Sequence, residues 1–442
     1  MQFASRCRRL LFVFTIAVLL SLLLAACGDN ETTPASKTAD PSAALTPAES
    51  AIVTFDDVLR KDPALTKRAQ VEWGWLFEQS GAFSPLGKPA GDGVLIAVGE
   101  INAAGGFQVG DTIYTINLDQ YDSKSDPTAA LAAATELVRD KGVNVIWGPT
   151  GPGDAEAAAV TQREHVLHLC PCPHRELALL SSPEQAAGPS RWAFQTAARQ
   201  SVLIDLIARE LAQAHPEMRT FAAVCTASEL GRSYCRFFRD SFLLAGFDVI
   251  DTKLAPPEMT DFTPVLTGLK GDDPDILLNL LDGGLATFTF LRQSWELDVG
   301  QVYLSPAVQV DLLETLSGVG IRDKLVLGGA TPRTEVAPTS SKAQRFFQDV
   351  YKPFVGGTLP PGAFVALTTY DAVYMLVAAM QQAGTVDDTG AIAAALERVH
   401  FDGIGEDDLY FDSSHIMVSG ADICTITQGA YQECHHLVPS SD

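Results

Sequence analysis

Cys170-Pro171-Cys172-Pro173-His174 is the stretch whose residue types and spacing speak most directly of chemistry. Residues two apart in an extended segment face the same way, so Cys170, Cys172 and His174 could converge on one point. Three such ligands with water in the fourth position would suit zinc or copper. A proline-stiffened loop holding a disulfide or buried thiols explains the same residues without an ion, and no metal or other cofactor is assigned. A second segment, Gly148-Pro149-Thr150-Gly151-Pro152-Gly153-Asp154, stands directly before a helical pattern. Its glycines turn the backbone and expose N–H groups, and the helix start adds a partial positive charge. That suits a carboxylate or a polar oxygen. The glycine spacing is not that of a dinucleotide or P-loop fingerprint, and no lysine follows. A tight turn capped by Asp154 is the simpler reading. No Gly-x-Ser-x-Gly turn and no His-Glu-x-x-His motif is present. Ser181-Ser182 and His435-His436 read as isolated surface polar residues, and the chain is not expected to be an enzyme.

The elements that would position these segments alternate between strand and helix from Val71 onward. Val71 to Trp75 reads as a strand, Gly93 to Ala104 as a helix ending on Gly105-Gly106, and Thr112 to Leu118 as a strand. A helix over Thr128 to Lys141, a buried strand over Val143 to Trp147, a helix over Glu156 to Glu164 and a strand over Val166 to Leu169 follow. A second series begins with a helix over Val202 to Ala214. It continues through strands at Thr220 to Val224, Asp248 to Lys253 and Asp275 to Leu281. Alternation of this kind implies α/β architecture, with parallel sheets covered by helices on both faces. Two successive series imply two doubly wound lobes.

The 442 residues suffice for two or three domains, and 47% apolar content supports a sizeable core. At the start, Arg6, Arg8 and Arg9 precede an apolar run from Leu10 to Leu24, then Ala25-Ala26-Cys27. Positive start, short apolar core and small residues read as an export signal; about 15 apolar residues fall short of the ~20 a spanning helix needs. A cysteine directly after the small residues resembles a lipoprotein signal, which implies that residues 1–26 are removed and that Cys27 carries the lipid. Removal would leave 28 basic against 54 acidic residues, a net charge of −26. So acidic a surface repels nucleic acid, and no Lys/Arg cluster offsets it. Residues 28 to about 50 are rich in Thr, Pro, Ala and Ser, a flexible tether with a reach of roughly 30 Å. Six further cysteines in an exported chain suggest disulfides. Short loops favour Cys225–Cys235 and Cys424–Cys434, leaving Cys170 and Cys172 either paired or free.

Four stretches in order carry a resemblance. They are Ala97-Val98-Gly99-Glu100-Ile101-Asn102-Ala103-Ala104-Gly105-Gly106, then Asp122-Ser123-Lys124-Ser125-Asp126-Pro127, Val145-Ile146-Trp147-Gly148-Pro149, and Asp261-Phe262-Thr263-Pro264-Val265-Leu266. Tyr370-Asp371-Ala372-Val373 and Phe401-Asp402-Gly403 fit as well. From about Val71 to about Asp412 the chain resembles a periplasmic solute-binding protein of the leucine/isoleucine/valine type, the receptor of an ABC importer. The resemblance implies a type I fold: two doubly wound lobes joined by a three-strand hinge. Carried over, residues 27–68 would be lipid anchor and tether. Lobe 1 would be 69–196 with 330–404, and lobe 2 would be 197–329 with 405–437. The crossovers would lie near Thr196-Ala197, Gly328-Gly329 and Gly403 to Gly405.

In open parallel sheets ligands bind beyond the carboxyl ends of the strands. The resemblance therefore implies an interlobe site drawing on Phe83, Leu86, Thr150, Gly151, Gly153, Cys172, His174, Gln200, Leu230 and Asp282. Departures from the family bear on the ligand. The acid that meets an α-amino group falls near Gln200, a second falls near Ala307, and the usual aromatic is Leu230. A buried ammonium needs a paired charge, which Asp282 or Glu229 could supply. A branched-chain amino acid is thus in doubt, and an amide, another carboxylate or an aromatic acid is open; Trp75, Phe77 and Phe83 could stack on a ring or belong to the core. The expected function is capture of a small polar solute by hinge closure, with an ABC permease in the membrane as partner. The protein is expected to be a monomer, lipid-anchored at the periplasmic or extracellular face. The alternative is a sensor that presents the solute to a signalling partner.

Overall fold

A computed structural model describes residues 52–172, 176, 191–281, 284–305, 325–331, 339–360, 362–427 and 430–439. The described residues form two sheets. The first runs in the order β12 (Tyr410–Phe411), β13 (Ile416–Val418), β6 (Ala193–Ala198), β5 (Leu167–Cys170), β4 (Val145–Trp147), β1 (Arg68–Phe77), β3 (Thr112–Asp122), β2 (Phe107–Val109). Strands β3, β1, β4, β5, β6 and β13 are parallel, and β2 and β12 pair antiparallel at the edges. The second sheet runs β15 (Ala430–Leu437), β14 (Ala421–Thr427), β11 (Leu325–Thr331), β10 (Val302–Ser305), β9 (Ile276–Leu280), β7 (Thr220–Thr226), β8 (Asp248–Ala255). Its body is parallel, and β14 and β15 form an antiparallel ladder beside β11.

Strand β1 is apolar on both faces, as a central parallel strand must be. Trp73, Trp75 and Phe77 enter the core shared with the helices Ser84–Ala103 and Phe364–Ala383, while Leu76 faces the helices Pro127–Arg139 and Asp154–Glu164. The sequence signal Ser125-Asp126-Pro127 does what its residue types predict: Asp126 accepts from the Ala129 N–H at 2.7 Å and Pro127 opens the helix. The helix Phe364–Ala383 is long and apolar enough to span a membrane, yet it is almost wholly buried within lobe 1. Gly93 lets the helix Ser84–Ala103 touch it. A Cβ there would stand 2.0 Å from the Ala366 carbonyl oxygen. In lobe 2 the helices Gln200–Ala214 and Glu229–Leu244 cover one face of the sheet, and Thr263–Lys270 and Gly284–Glu296 the other.

Two expectations need correction. Residues 52–67 are not tether. Thr54 and Asp57 form a capping box for the one-turn helix Phe55–Leu59, Val58 is fully buried, and Phe55 packs edge-on against Tyr374 and Phe401 at 4.7 and 4.8 Å. Val53 also pairs with Phe401. Apolar residues at 53, 55 and 58 thus bind this segment to lobe 1. Nor does the last crossing lie at Gly403 to Gly405. The Asp371 carboxylate accepts the N–H groups of Ile404 and Gly405 at 2.8 to 3.0 Å, which fixes that turn on lobe 1. The chain then contributes β12 and β13 to the first sheet and changes sheets between Val418 and Ala421. The first crossing runs from β6, ending at Ala198, into the helix that starts at Gln200. Chain between Thr331 and Thr339, which joins β11 to lobe 1, lies outside the described residues.

Candidate functional site

The strand order of lobe 1 reverses at β1. Its two neighbours, β3 and β4, leave on opposite sides. The crevice beyond the carboxyl ends of β1 and β4 is therefore the switch point where doubly wound sheets place ligands. Glu78 follows β1 there and is fully buried. Its carboxylate accepts the N–H of Thr150 at 3.1 Å and of Gly151 at 2.8 Å. Burial pushes the Glu78 carboxyl up, and the two N–H groups pull partly against that. The loop at 148–154 thus presents its first amides to an internal carboxylate. The expectation that these amides would hold a ligand's carboxylate is corrected on this point. Beside them Phe83, 38% exposed, lies over Gly151 so closely that a Cβ on Gly151 would stand 2.4 Å from the ring. Gly153 is left-handed at φ 103° and leads into Asp154.

Glu78→Ala would strand the buried Thr150 N–H and the half-buried Gly151 N–H. We expect a loss of about 2–4 kcal/mol in urea unfolding, against about 1–2 kcal/mol for Glu78→Gln, which keeps one of the two acceptor oxygens and leaves one N–H without its partner. Equal losses for the two would contradict this assignment.

The next strand, β5, ends at Cys170, and Cys170 and Cys172 are disulfide-bonded with Cα atoms 5.2 Å apart. Beyond them, buried Glu176 accepts the N–H groups of Gln200 and Ser201, both at 2.7 Å, at the start of the first helix of lobe 2. A lobe 1 carboxylate therefore sits on a lobe 2 helix N-terminus, where the partial positive charge favours it. Tyr234, in the helix Glu229–Leu244, lies within electrostatic reach. Burial and then the Glu176 charge push its phenol far up. At the corresponding switch point of lobe 2, between β7 and β9, Ser228 caps that helix by accepting the Gly231 N–H at 3.0 Å.

Periplasmic binding protein, as a family, matches residues 70–430. The chain belongs to that family. A Leu/Ile/Val-binding protein homolog 7 from Brucella abortus is 25% identical over 350 residues, 75% of this chain and 82% of the relative. Among solved structures the branched-chain amino acid transporter substrate-binding protein LivJ of Streptococcus pneumoniae, in complex with isoleucine, is 21% identical with a TM-score of 0.66, covering 84% of this chain and all of that one. A solute-binding protein of an R. palustris ABC transporter, in complex with benzoate, is 16% identical with a TM-score of 0.65, covering 85% and 98%. The fold is that of a type I periplasmic binding protein.

Within this periplasmic binding protein the structure gathers some of the expected residues and not others. Phe83, Thr150, Gly151, Gly153 and Cys172 lie together around the lobe 1 switch point. Leu86 is half-buried, and its Cδ2 would meet a Cβ on Gly362 at 2.9 Å. Gln200 gives its backbone N–H to Glu176 and its side-chain amide to the Ala198 carbonyl oxygen at 3.3 Å. Trp75 and Phe77 are core. His174, Asp282 and Cys27 lie outside the described residues, as does the Leu230 side chain. Cys225 and Cys235 are bonded, with Cα atoms 6.0 Å apart. Cys434 is disulfide-bonded and stands opposite Cys424 in the β14–β15 ladder. Glu78 and Glu176 escaped sequence reasoning; an acid directly after an apolar strand was the only available signal for Glu78.

Proposed function

We propose that this protein is the extracytoplasmic, lipid-anchored receptor of an ABC importer, and that it grips one small polar solute between its lobes. The observation that carries the reading is the pair of doubly wound sheets linked by chain crossings, each with a strand-order reversal at which a ligand can dock. A solute touching both lobes gains contacts only when they close, and that differential affinity drives closure. Cys27, after its apolar run and small residues, supports the anchor. The ligand class proposed is an amino acid or a related amide or carboxylate, including an aromatic acid, with Phe83 and Thr150 on the lobe 1 side and Leu230 and Asp282 on the lobe 2 side. Glu78 already takes the Thr150 and Gly151 amides, so a solute carboxylate would draw its donors from elsewhere in the cleft. The site performs capture, not catalysis.

A thermal-shift screen of the purified protein against amino acids, amides, carboxylates and aromatic acids tests this. One class should stabilise the chain by mass action, by about 2.7 kcal/mol at a hundredfold excess over Kd. A panel that leaves the melting point unchanged throughout would overturn the reading.

A further inference from the structure

We propose that reduction of the Cys170–Cys172 bond turns the end of β5 into a thiophilic metal site, with zinc held by Cys170, Cys172 and Asp154. The three residues come from separate places: the last residue of β5, the turn after it and the first residue of the helix Asp154–Glu164. All three are buried, and their ligand atoms lie within 4.8 Å of one another. Cys170 Sγ stands 3.3 Å from Asp154 Oδ1. A sulfur in a disulfide has no proton to give, so no hydrogen bond joins that sulfur to the carboxylate oxygen. The spacing is already close to the one a shared metal ion would impose once the bond is reduced. Thiolate and carboxylate on one tetrahedral zinc stand about 3.5 Å apart, given Zn–S near 2.3 Å and Zn–O near 2.0 Å. The sulfurs must separate to complete the tetrahedron, which is why reduction comes first.

His168 lies beside the carboxylate without entering the ligand set. Its Nε2 is 2.8 Å from the Gly148 carbonyl oxygen, which can only accept, so that nitrogen carries the proton. The same Nε2 is 3.7 Å from Asp154 Oδ1. Two thiolates and a carboxylate select a borderline or soft ion over calcium or magnesium, and water completes the four.

The chemistry balances. A dithiol gives two electrons and two protons to the S–S bond and is itself oxidised to a disulfide, leaving two thiols on the chain. Zinc then displaces those two protons and binds both sulfurs. The site would respond to the redox state of its surroundings, since only the thiolate ligates metal. The inference does not rest on solute capture, because metal is measured directly with no solute present.

The test uses the whole purified protein, reduced with a phosphine, which becomes the phosphine oxide by taking oxygen from water. Zinc uptake is read by competition with a chromogenic chelator, and cadmium–thiolate charge transfer is read by absorbance. The reduced chain should take up one more zinc per molecule than Cys172→Ser treated alike, in which the other cysteines remain. Asp154→Asn should weaken that zinc at least tenfold. On reduction the wild-type chain should gain a larger cadmium band than Cys172→Ser, because thiols freed at Cys225, Cys235 and Cys434 contribute to both. Equal zinc uptake by wild type and Cys172→Ser, or equal cadmium bands after reduction, would overturn the proposal.

Discussion

His436→Ala should cost roughly 3–5 kcal/mol of folding stability at neutral pH, because it strips the shared partner from two buried carboxylates. His436 Nε2 lies 2.7 Å from Glu406 and Nδ1 lies 2.8 Å from Asp422. Both carboxylates accept, so both ring nitrogens donate and the imidazole is charged. Glu406 stands in the lobe 1 segment before β12 and also accepts the Gly420 N–H at 3.1 Å, while Asp422 and His436 belong to β14 and β15 of lobe 2. Thr339, at the far end of another crossing, donates to Asp422 at 2.8 Å. The triad therefore bridges the lobes at their hinge, and the expectation that His436 is an isolated surface residue is overturned. Burial by itself would raise the Glu406 carboxyl, but His436 overrides it and holds the group below the ordinary glutamate range. A carboxyl depressed in the folded state stabilises at neutral pH, and that contribution is lost as pH falls through its folded value. Urea unfolding of both chains should give a gap that narrows on acidification. A gap under about 1 kcal/mol at neutral pH, or one indifferent to pH, would contradict the assignment.

Asp371→Ala is the second large loss expected, about 2–4 kcal/mol, since it removes the acceptor of the buried Ile404 and Gly405 N–H groups. Here the pH dependence has the opposite sign. Burial pushes the Asp371 carboxyl from 3.8 up to about 7, with the two N–H groups and the Lys342 charge pulling the other way. A raised carboxyl holds its proton more tightly when folded. Its contribution is full below the ordinary aspartate range and is lost as pH rises to about 7, a swing of up to roughly 4 kcal/mol. Asp371→Asn mimics the protonated form and should flatten this part of the stability profile between pH 4 and 7 while keeping most of the fold. A profile with the same slope in wild type and Asp371→Asn would refute it.

These two clusters show where sequence reading stops. Trp73, Trp75 and Phe77 alternating along β1, Asp126-Pro127 opening a helix, and Cys225 ten residues before Cys235 are local patterns, and local patterns survive into the structure. Glu78 on the Thr150 and Gly151 amides depends on β4 returning beside β1, 70 residues later. His436 between Glu406 and Asp422 depends on the last change of sheet. No periodicity encodes either. The position of that crossing was misread for the same reason: Gly403 to Gly405 looks permissive in sequence, but Asp371, over 30 residues earlier, holds it in place. The docked segment at 52–67 escaped notice because it buries only a few apolar residues, among them Val58 and the half-buried Phe55.

Small-angle scattering of the purified protein, with and without the solute that most raises its melting point, tests the central claim most directly. One equivalent of solute should shrink the radius of gyration as the lobes close on it. Solute that binds at one equivalent and leaves the scattering profile unchanged would contradict closure between hinged lobes.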